Sequence, residues 1–507
     1  MHASSWLRSA HWVFVPSATK KELPPGRRKR GLDLPMGVER LEARTVPSTF
    51  TVGNLTDSGA GSLRQAILDA NSSPGADVIR FAPAARDGTI ALSSGQLSII
   101  DDLIIAGPGA GRLAVSGKDA SRVFQIGAGV AATIDGLTIT HGRATGQGGG
   151  ISNAGTLTVS DATLSENQVV GVAGTSVIVD AFGGGIFNAG ALTVRDSRFV
   201  HNQSIGADGV SGTTGSSALG GAIMSTGTAS APSTTTVTRS TFLENRAIGG
   251  AAGAGASRAG IGGAIMNAAG TFAVGDSVFR DNEAVGGLEN GVPGGFGAGS
   301  GGAIGNVARV GDAILSVSHC TMTNNLAVGG AIGAGTVAQD GRGGAIANFI
   351  FGGLPSPVTV TATARIDHST LLGNQARGGA GTTGGNSSGG GIANLNGGIL
   401  TVSNSLIALN RATGGAGNGG NGGNGLGGGL SNGGPSPVGT PSLTLARSLV
   451  ALNRAEGGAA SGGGSEGLGQ GGGIYITQGA DALADLLTAI FANDASTSDD
   501  DVFGVLA

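Results

Sequence analysis

Two short motifs alternate along most of this chain and hold one register, which limits the fold more than any other feature. The first is Gly-Gly-Gly/Ala-Ile/Leu, starting at Gly148, Gly183, Gly220, Gly262, Gly301, Gly343, Gly389, Gly427 and Gly471. Two residues past its aliphatic position stands Asn153, Asn188, Asn267, Asn306, Asn348, Asn394 or Asn432, with Ser225 and Ile476 in the third and ninth copies. The second motif is an apolar residue, two variable positions and Asn. Its asparagines are Asn167, Asn202, Asn245, Asn282, Asn325, Asn374, Asn410, Asn453 and, in a degenerate copy, Asn493. Three residues before the first eight sit Leu164, Phe199, Phe242, Phe279, Met322, Leu371, Ile407 and Val450. Five before sit Ala162, Ser197, Ser240, Ser277, Cys320, Ser369, Ser405 and Ser448; eight before, an aliphatic residue recurs from Val159 to Leu445.

A run such as Leu157-Thr158-Val159 alternates apolar with polar side chains, the pattern of a strand with one buried face. So short a strand cannot bury that face alone. Stacked copy on copy at about 4.8 Å, such strands pair their backbones and build one continuous core. The columns then become ladders: one aliphatic, one of small residues, and one of Asn, whose side chain bonds backbone groups in turns. The expected fold is all-β, a right-handed parallel β-helix or solenoid.

Composition agrees. The chain holds 101 glycines, which by itself suggests low complexity. Yet 39 % of the residues are hydrophobic and only 12 % charged, the reverse of a disordered segment. The paired glycines fit crowded corners where a Cβ would clash. Cys320 falls in the small-residue column and reads as a buried substitute for Ser. His319 and His368 fall one position earlier, in a column that also holds Asp161, Asp196, Arg239, Asp276, Asn404 and Arg447. A column that accepts both charges reads as a solvated face, not as a metal or catalytic site.

The spacing gives the organisation. From Gly148 to Asn167 there is chain for three short strands and one coil. The segments from each Asn to the next Gly-Gly are near-constant in length, so each repeat reads best as one coil plus an ordered edge loop, with a second coil per repeat as the alternative. Residues 414–429 are the segment expected to be flexible. Residues 1–48 read as a disordered leader or export segment, 49–147 as the N-terminal cap and first coils, 148–480 as the repeat β-helix, and 481–507 as a terminal cap with an acidic tail at Asp499-Asp500-Asp501. Ser62 to Asn71 has helical spacing and is expected to cap the open end, because end coils expose unpaired strand edges.

A net charge of −4 offers no basic field for nucleic acid. No apolar run is long enough for a membrane-spanning helix. One cysteine excludes an intramolecular disulfide framework and a Cys-based zinc site. The Gly-x-Gly-x-x-Gly strings do not open a helix within a βαβ unit, so no dinucleotide site is expected. The Gly-Gly-x-Gly runs lack the Asp that calcium-binding nonapeptides need. No catalytic, cofactor-binding or metal-binding residue is therefore assigned, and no cofactor.

Gly-Gly-Ala-Ile at 220–223, 262–265, 301–304 and 343–346, alternating with Phe199-x-x-Asn202, Phe242-x-x-Asn245 and Phe279-x-x-Asn282, resembles the repeat pair of chlamydial polymorphic outer-membrane proteins and other repeat proteins of pectin-lyase-like fold. Gly61 to Ile67 with Asn71, followed by Ala76 to Phe81, is similar to a module often found before such repeats. Val38 to Arg44 with Val46-Pro47-Ser48 resembles the leader of planctomycete surface proteins. The resemblance implies display on the cell surface, secretion and adhesion. The C-terminal membrane barrel of the chlamydial proteins is not expected here.

Parallel β-helices also host polysaccharide lyases and glycoside hydrolases. Hydrolysis needs two carboxylates about 5–10 Å apart across a cleft. The repeats carry scattered single acids, and Asp101-Asp102 would point to opposite faces of a strand. The expected function is a non-catalytic secreted or cell-surface module for adhesion, interaction or envelope structure, with a host, matrix or envelope polysaccharide or protein as partner. The alternative is a polysaccharide-active lyase or hydrolase, which would gather two carboxylates and a Lys or Arg in a lateral groove.

Overall fold

The computed structural model describes residues 47–507 except 175–176, 211–212, 254–257, 289–296, 332–336, 352–359 and 435–438. The leader expected over 1–48 lies outside the described residues, apart from its last two positions.

Each repeat closes one coil of a parallel β-helix. A representative coil has five short strands: Ile186–Asn188, Ala191–Arg195, Arg198–Val200, Gln203–Ile205 and Ala218–Leu219. Every one pairs in parallel with its counterpart in the next coil, so that Ile186 faces Ile223, Val194 faces Val237, Phe199 faces Phe242, Ser204 faces Ala247 and Ala218 faces Gly260. First and second strands merge into one 24-stranded sheet; third, fourth and fifth strands form sheets of 12, 10 and 8. Twelve rungs at about 4.8 Å give a solenoid roughly 50 Å long.

The ladders fill it. Phe199, Phe242 and Phe279 stack at centroid spacings of 4.8 and 4.6 Å. The Asn ladder runs unbroken from Asn167 to Asn493, each Nδ2 donating to the next Oδ1 at 2.9–3.0 Å. The sequence steps between its rungs vary from 35 to 49 residues, while the register does not. Each Nδ2 also donates to a carbonyl of the coil before, as Asn202 does to Leu164 O at 2.9 Å. Each Oδ1 accepts a backbone N–H as well, as Asn245 does from Asn202. The ladder is thus buried and fully satisfied, the condition under which buried amides do not cost stability. In the small-residue column each hydroxyl donates to the carbonyl two residues back, and Cys320 Sγ does the same toward Ser318 O at 3.2 Å.

The corners are left-handed. The first Gly of each Gly-Gly motif has φ between 57° and 69°. The column holding His319 and His368 is exposed, and its backbone is left-handed in every copy, φ 45–52° from Asp161 to Arg447. A second left-handed column, one residue before the Asn ladder, holds Glu166, His201, Glu244, Asp281, Asn324, Gly373, Leu409, Leu452 and Ala492. Asp, Asn and His tolerate this conformation better than other non-glycine residues.

Between the fourth and fifth strands the chain runs out along one limb and returns along another, making a glycine fin. The two limbs and their neighbours in adjacent coils are joined by a backbone zigzag: Gly467 N donates to Gly458 O, Gly458 N to Gly423 O, Gly423 N to Gly415 O, Gly415 N to Gly385 O and Gly385 N to Gly379 O, each at 2.8–2.9 Å. A Cβ on Gly415 would fall on Gly379 O, and one on Gly423 on Gly385 O. The glycines are there because two limbs and two coils meet with no room for side chains. This corrects the expectation for 414–429, whose backbone is bonded on both sides and continues into the strand Gly425–Leu426.

The capping helix is Leu63–Ala70, with Ser62 Oγ accepting from Gln65 N as N-cap. It buries Leu63, Ala66, Ile67 and Ala70 against the first coil. Arg64 ties it down, bonding Asp57 and the carbonyls of Gly95 and Gln96. Burial would raise the Asp57 pKa, but Arg64, Ser93 and Ser94 outweigh it and hold the carboxyl well below its usual range. At the other end, the acidic tail expected at 499–501 is corrected. Ile474 N donates to Asp501 O, and Asp501 Oδ1 accepts both Asn493 N and Nδ2, so a carboxylate ends the Asn ladder. Asp101 and Asp102 occupy a turn, not a strand; Asp102 N bonds Asp101 Oδ1 and Asp102 Oδ1 accepts Ala131 N.

Candidate functional site

The corner between the third and fourth strands carries a stack of titratable side chains. Because the left-handed residue before the Asn ladder points outward, successive coils place His141, Glu166, His201 and Glu244 in one column. His141 Nε2 meets Glu166 Oε2 at 2.8 Å, and His201 Nε2 meets Glu244 Oε2 at 2.8 Å. All four side chains are half-exposed. Beside them, the first residue of each fourth strand forms a parallel column of Arg143, Gln168, Gln203, Arg246 and Glu283.

Between these columns lies a cleft of about 430 Å³ lined by Asp119, Arg143, Glu166, Asn167, Gln168, His201 and Gln203. Asp119 enters from a turn of an earlier coil, where its backbone is left-handed (φ 55°) and its N–H bonds His141 O. Two carboxylates and an Arg therefore share one lateral cleft. Sequence reasoning assigned none of these residues. Asp119 and Glu166 lie far apart in the chain, and only the coil register joins them. Asn167 is not free for chemistry: its Oδ1 accepts Gly142 N and its Nδ2 is spent in the ladder. Glu166 is held by His141, which leaves Asp119, Arg143, Gln168 and Gln203 facing solvent.

A second, more open trough of about 700 Å³ runs past His319, His368, Asn404 and Arg447 toward Leu406, Leu449, Leu487 and Phe491. The two histidine rings stack at 5.0 Å. His368 Nδ1 lies 2.7 Å from Asp367 Oδ2. Hydrogen bonds from Ser403, Asn404 and His368 hold the Asp367 carboxyl well below its usual range.

Elsewhere charges pair across one coil. Arg239 forks onto both oxygens of Asp196 at 2.8 Å, and Arg246 meets Glu283 at 2.7 Å. Arg454 meets Asp494 at 3.1 Å. Among the described residues, no group of three or more His, Cys, Asp or Glu could hold a metal ion, and no helix is long and apolar enough to cross a membrane.

No family model matches the sequence, and no curated protein matches it. Among solved structures the chain is similar to a mannuronic acid specific family 6 polysaccharide lyase from human gut microbiota, at 10 % identity and a TM-score of 0.35 over 85 % of this chain and 87 % of that one. It is similar to the catalytic unit of a thermostable GH87 α-1,3-glucanase from Streptomyces thermodiastaticus, at 12 % identity and a TM-score of 0.38 over 90 % and 71 %. A third is the A-module of a mannuronan C-5 epimerase from Azotobacter vinelandii, at 12 % identity and a TM-score of 0.30 over 90 % and 99 %. The parallel sheets define this chain as a parallel β-helix protein; likeness at this level attributes no chemistry to it.

Proposed function

We propose that this chain is a non-catalytic β-helix module, exported or displayed at the cell surface, that engages a partner through its lateral faces. The observation that carries this reading is the pairing of surface charge from coil to coil. His141 bonds Glu166, His201 bonds Glu244, and Arg239 and Arg246 form ion pairs with Asp196 and Glu283, each across one coil, so these side chains are engaged along the stack. The repeat resemblance to polymorphic outer-membrane proteins supports the surface assignment. A polysaccharide or protein is the partner class that long ladders of repeated polar side chains suit.

The second reading, a polysaccharide-active lyase or hydrolase, is favoured by the cleft that gathers Asp119, Glu166 and Arg143. One experiment separates the two. The purified chain is incubated with a panel of neutral and uronic-acid polysaccharides, with reducing ends and unsaturated uronates measured beside retention on the same polymers. Retention without product is expected. Product that is lost in Asp119→Asn and Glu166→Gln would replace the module by the enzyme.

A further inference from the structure

Outside the main core lies a second apolar cluster, built from side chains that point away from the solenoid interior. The residue after the aliphatic position of the Gly-Gly motif faces outward, and in successive coils it is Phe187, Met224 and Met266. These pack with Leu219 and Ile261 of the fifth strands to form a separate hydrophobic cluster. The cluster does not close. It leaves a cavity of about 390 Å³ within the size range of small-molecule sites.

The shape of this cavity follows from the register. Phe182, which ends the coil before that of Phe187, lines it together with Met224, Met266, Val307 and Phe351, from four successive coils. Four steps of about 4.8 Å make it roughly 19 Å long. It is therefore long and narrow, suited to an extended chain and not to a compact ring system. Met side chains, which adapt to irregular partners, contribute two of the five.

Three charged groups line the same cavity. Arg258 stands on the fifth-strand wall, half-buried, and its Nε is buried with no hydrogen-bond partner. Arg309 follows the strand Ile304–Ala308 and also lines the cavity, its guanidinium carbon 5.2 Å from the Phe351 ring centroid. Asp180 is the single acid; its Oδ1 accepts Ser217 N at 2.7 Å. The sum is one net positive charge beside an apolar trough. An unpartnered buried guanidinium nitrogen is costly unless an anion satisfies it.

We propose that this cavity binds a medium-length acyl carboxylate, its chain lying along the helix axis over Met224 and Met266 and its carboxylate held between Arg258 and Arg309. The site is distinct from the Asp119 cleft and does not depend on what that cleft does.

Calorimetric titration of the full chain with decanoate, 1-decanol and 2-naphthoate tests it. Decanoate is expected to bind one per chain, decanol at least tenfold more weakly, and naphthoate, with equal charge but a compact body, more weakly than decanoate. Arg258→Gln is expected to narrow the difference between decanoate and decanol. Arg309 is exposed, so Arg309→Gln leaves folding untouched and is expected to weaken decanoate alone. No decanoate binding, equal binding of decanol, or wild-type affinity in both variants overturns the proposal.

Discussion

Asn267 Oδ1 is buried without a hydrogen-bond partner, and the residue below it in the same column is Ser225. Everywhere else in that ladder an Asn Nδ2 supplies the bond, as Asn153 does to Asn188 and Asn306 does to Asn348 at 2.7–2.8 Å. Ser225 is too short to reach upward. Its hydroxyl is drawn to Thr235 Oγ1 at 2.8 Å, and Thr235 in turn takes a position that is Leu192 one coil earlier. The two departures compensate each other. Ser225→Asn with Thr235→Leu restores both columns and is expected to stabilise the chain by about 1–3 kcal/mol, the cost of one orphaned buried acceptor. Ser225→Asn alone is expected to gain less, because Thr235 still occupies the pocket. Denaturant midpoints of the two variants check this; a double variant less stable than wild type would refute the ladder account.

Leu409 and Leu452 are over half exposed and sit at φ 56° and 58° in the column that Asn324 occupies elsewhere. A left-handed leucine costs roughly 1–2 kcal/mol of backbone strain that Asn largely avoids. Leu409→Asn and Leu452→Asn are each expected to raise stability by about 1 kcal/mol, additively, since they burden different coils. Thermal or denaturant unfolding would expose the opposite result as a fall in midpoint.

The fin predicts a sharp contrast between glycines. Gly415→Ala places a methyl on Gly379 O and must push two coils apart, which is expected to cost about 3 kcal/mol, the upper end for overpacking. Gly111→Ala, in an open turn with nothing within 4 Å of its would-be Cβ, is expected to be neutral or slightly stabilising. Equal effects would mean that the limbs do not touch as described.

Cys320 is buried, and burial pushes its thiol up to about 11. A raised pKa means the unfolded chain loses this proton first. The stability contributed is complete below about 9 and is lost as pH rises toward 11, by up to about 2–3 kcal/mol. Cys320→Ser is expected to flatten that part of the stability curve, and the native thiol is expected to resist iodoacetamide at pH 8 until denaturant is added. Rapid labelling of the native chain would contradict the buried placement.

The parts of this fold that were readable in the sequence are those written in side chains of constant size. Val159, Val194 and Val237 recur because each touches its copy one coil away, so packing enforces the pattern. The fin was not readable, because a glycine limb leaves no side-chain pattern and its bonds are all backbone. The left-handed corners were half readable: the mixture of Asp196, Arg239 and His319 marked exposure, but not the backbone conformation they share. Asp501 was misread since a carboxylate oxygen does for Asn493 what an Asn Oδ1 does lower in the ladder. The cleft was missed because Asp119 and Glu166 belong to different coils. Glu166 stands one coil after His141 in the same column, and Asp119 bonds His141 O from the coil before. The apolar cavity had a signal too, in the large residues following the Gly-Gly motif at Phe187, Met224 and Met266.

The coil-to-coil bonds lie along the long axis, so a pull from both ends would load every interface in series. At Ser225 one side-chain rung is missing, yet the strands Ile223–Thr226 and Ser233–Thr238 still pair with Ile265–Gly275 across that interface. Each coil from Asn167 onward that opens frees 35 to 49 residues, roughly 120–170 Å of extended chain. A tether made this way would lengthen coil by coil instead of snapping.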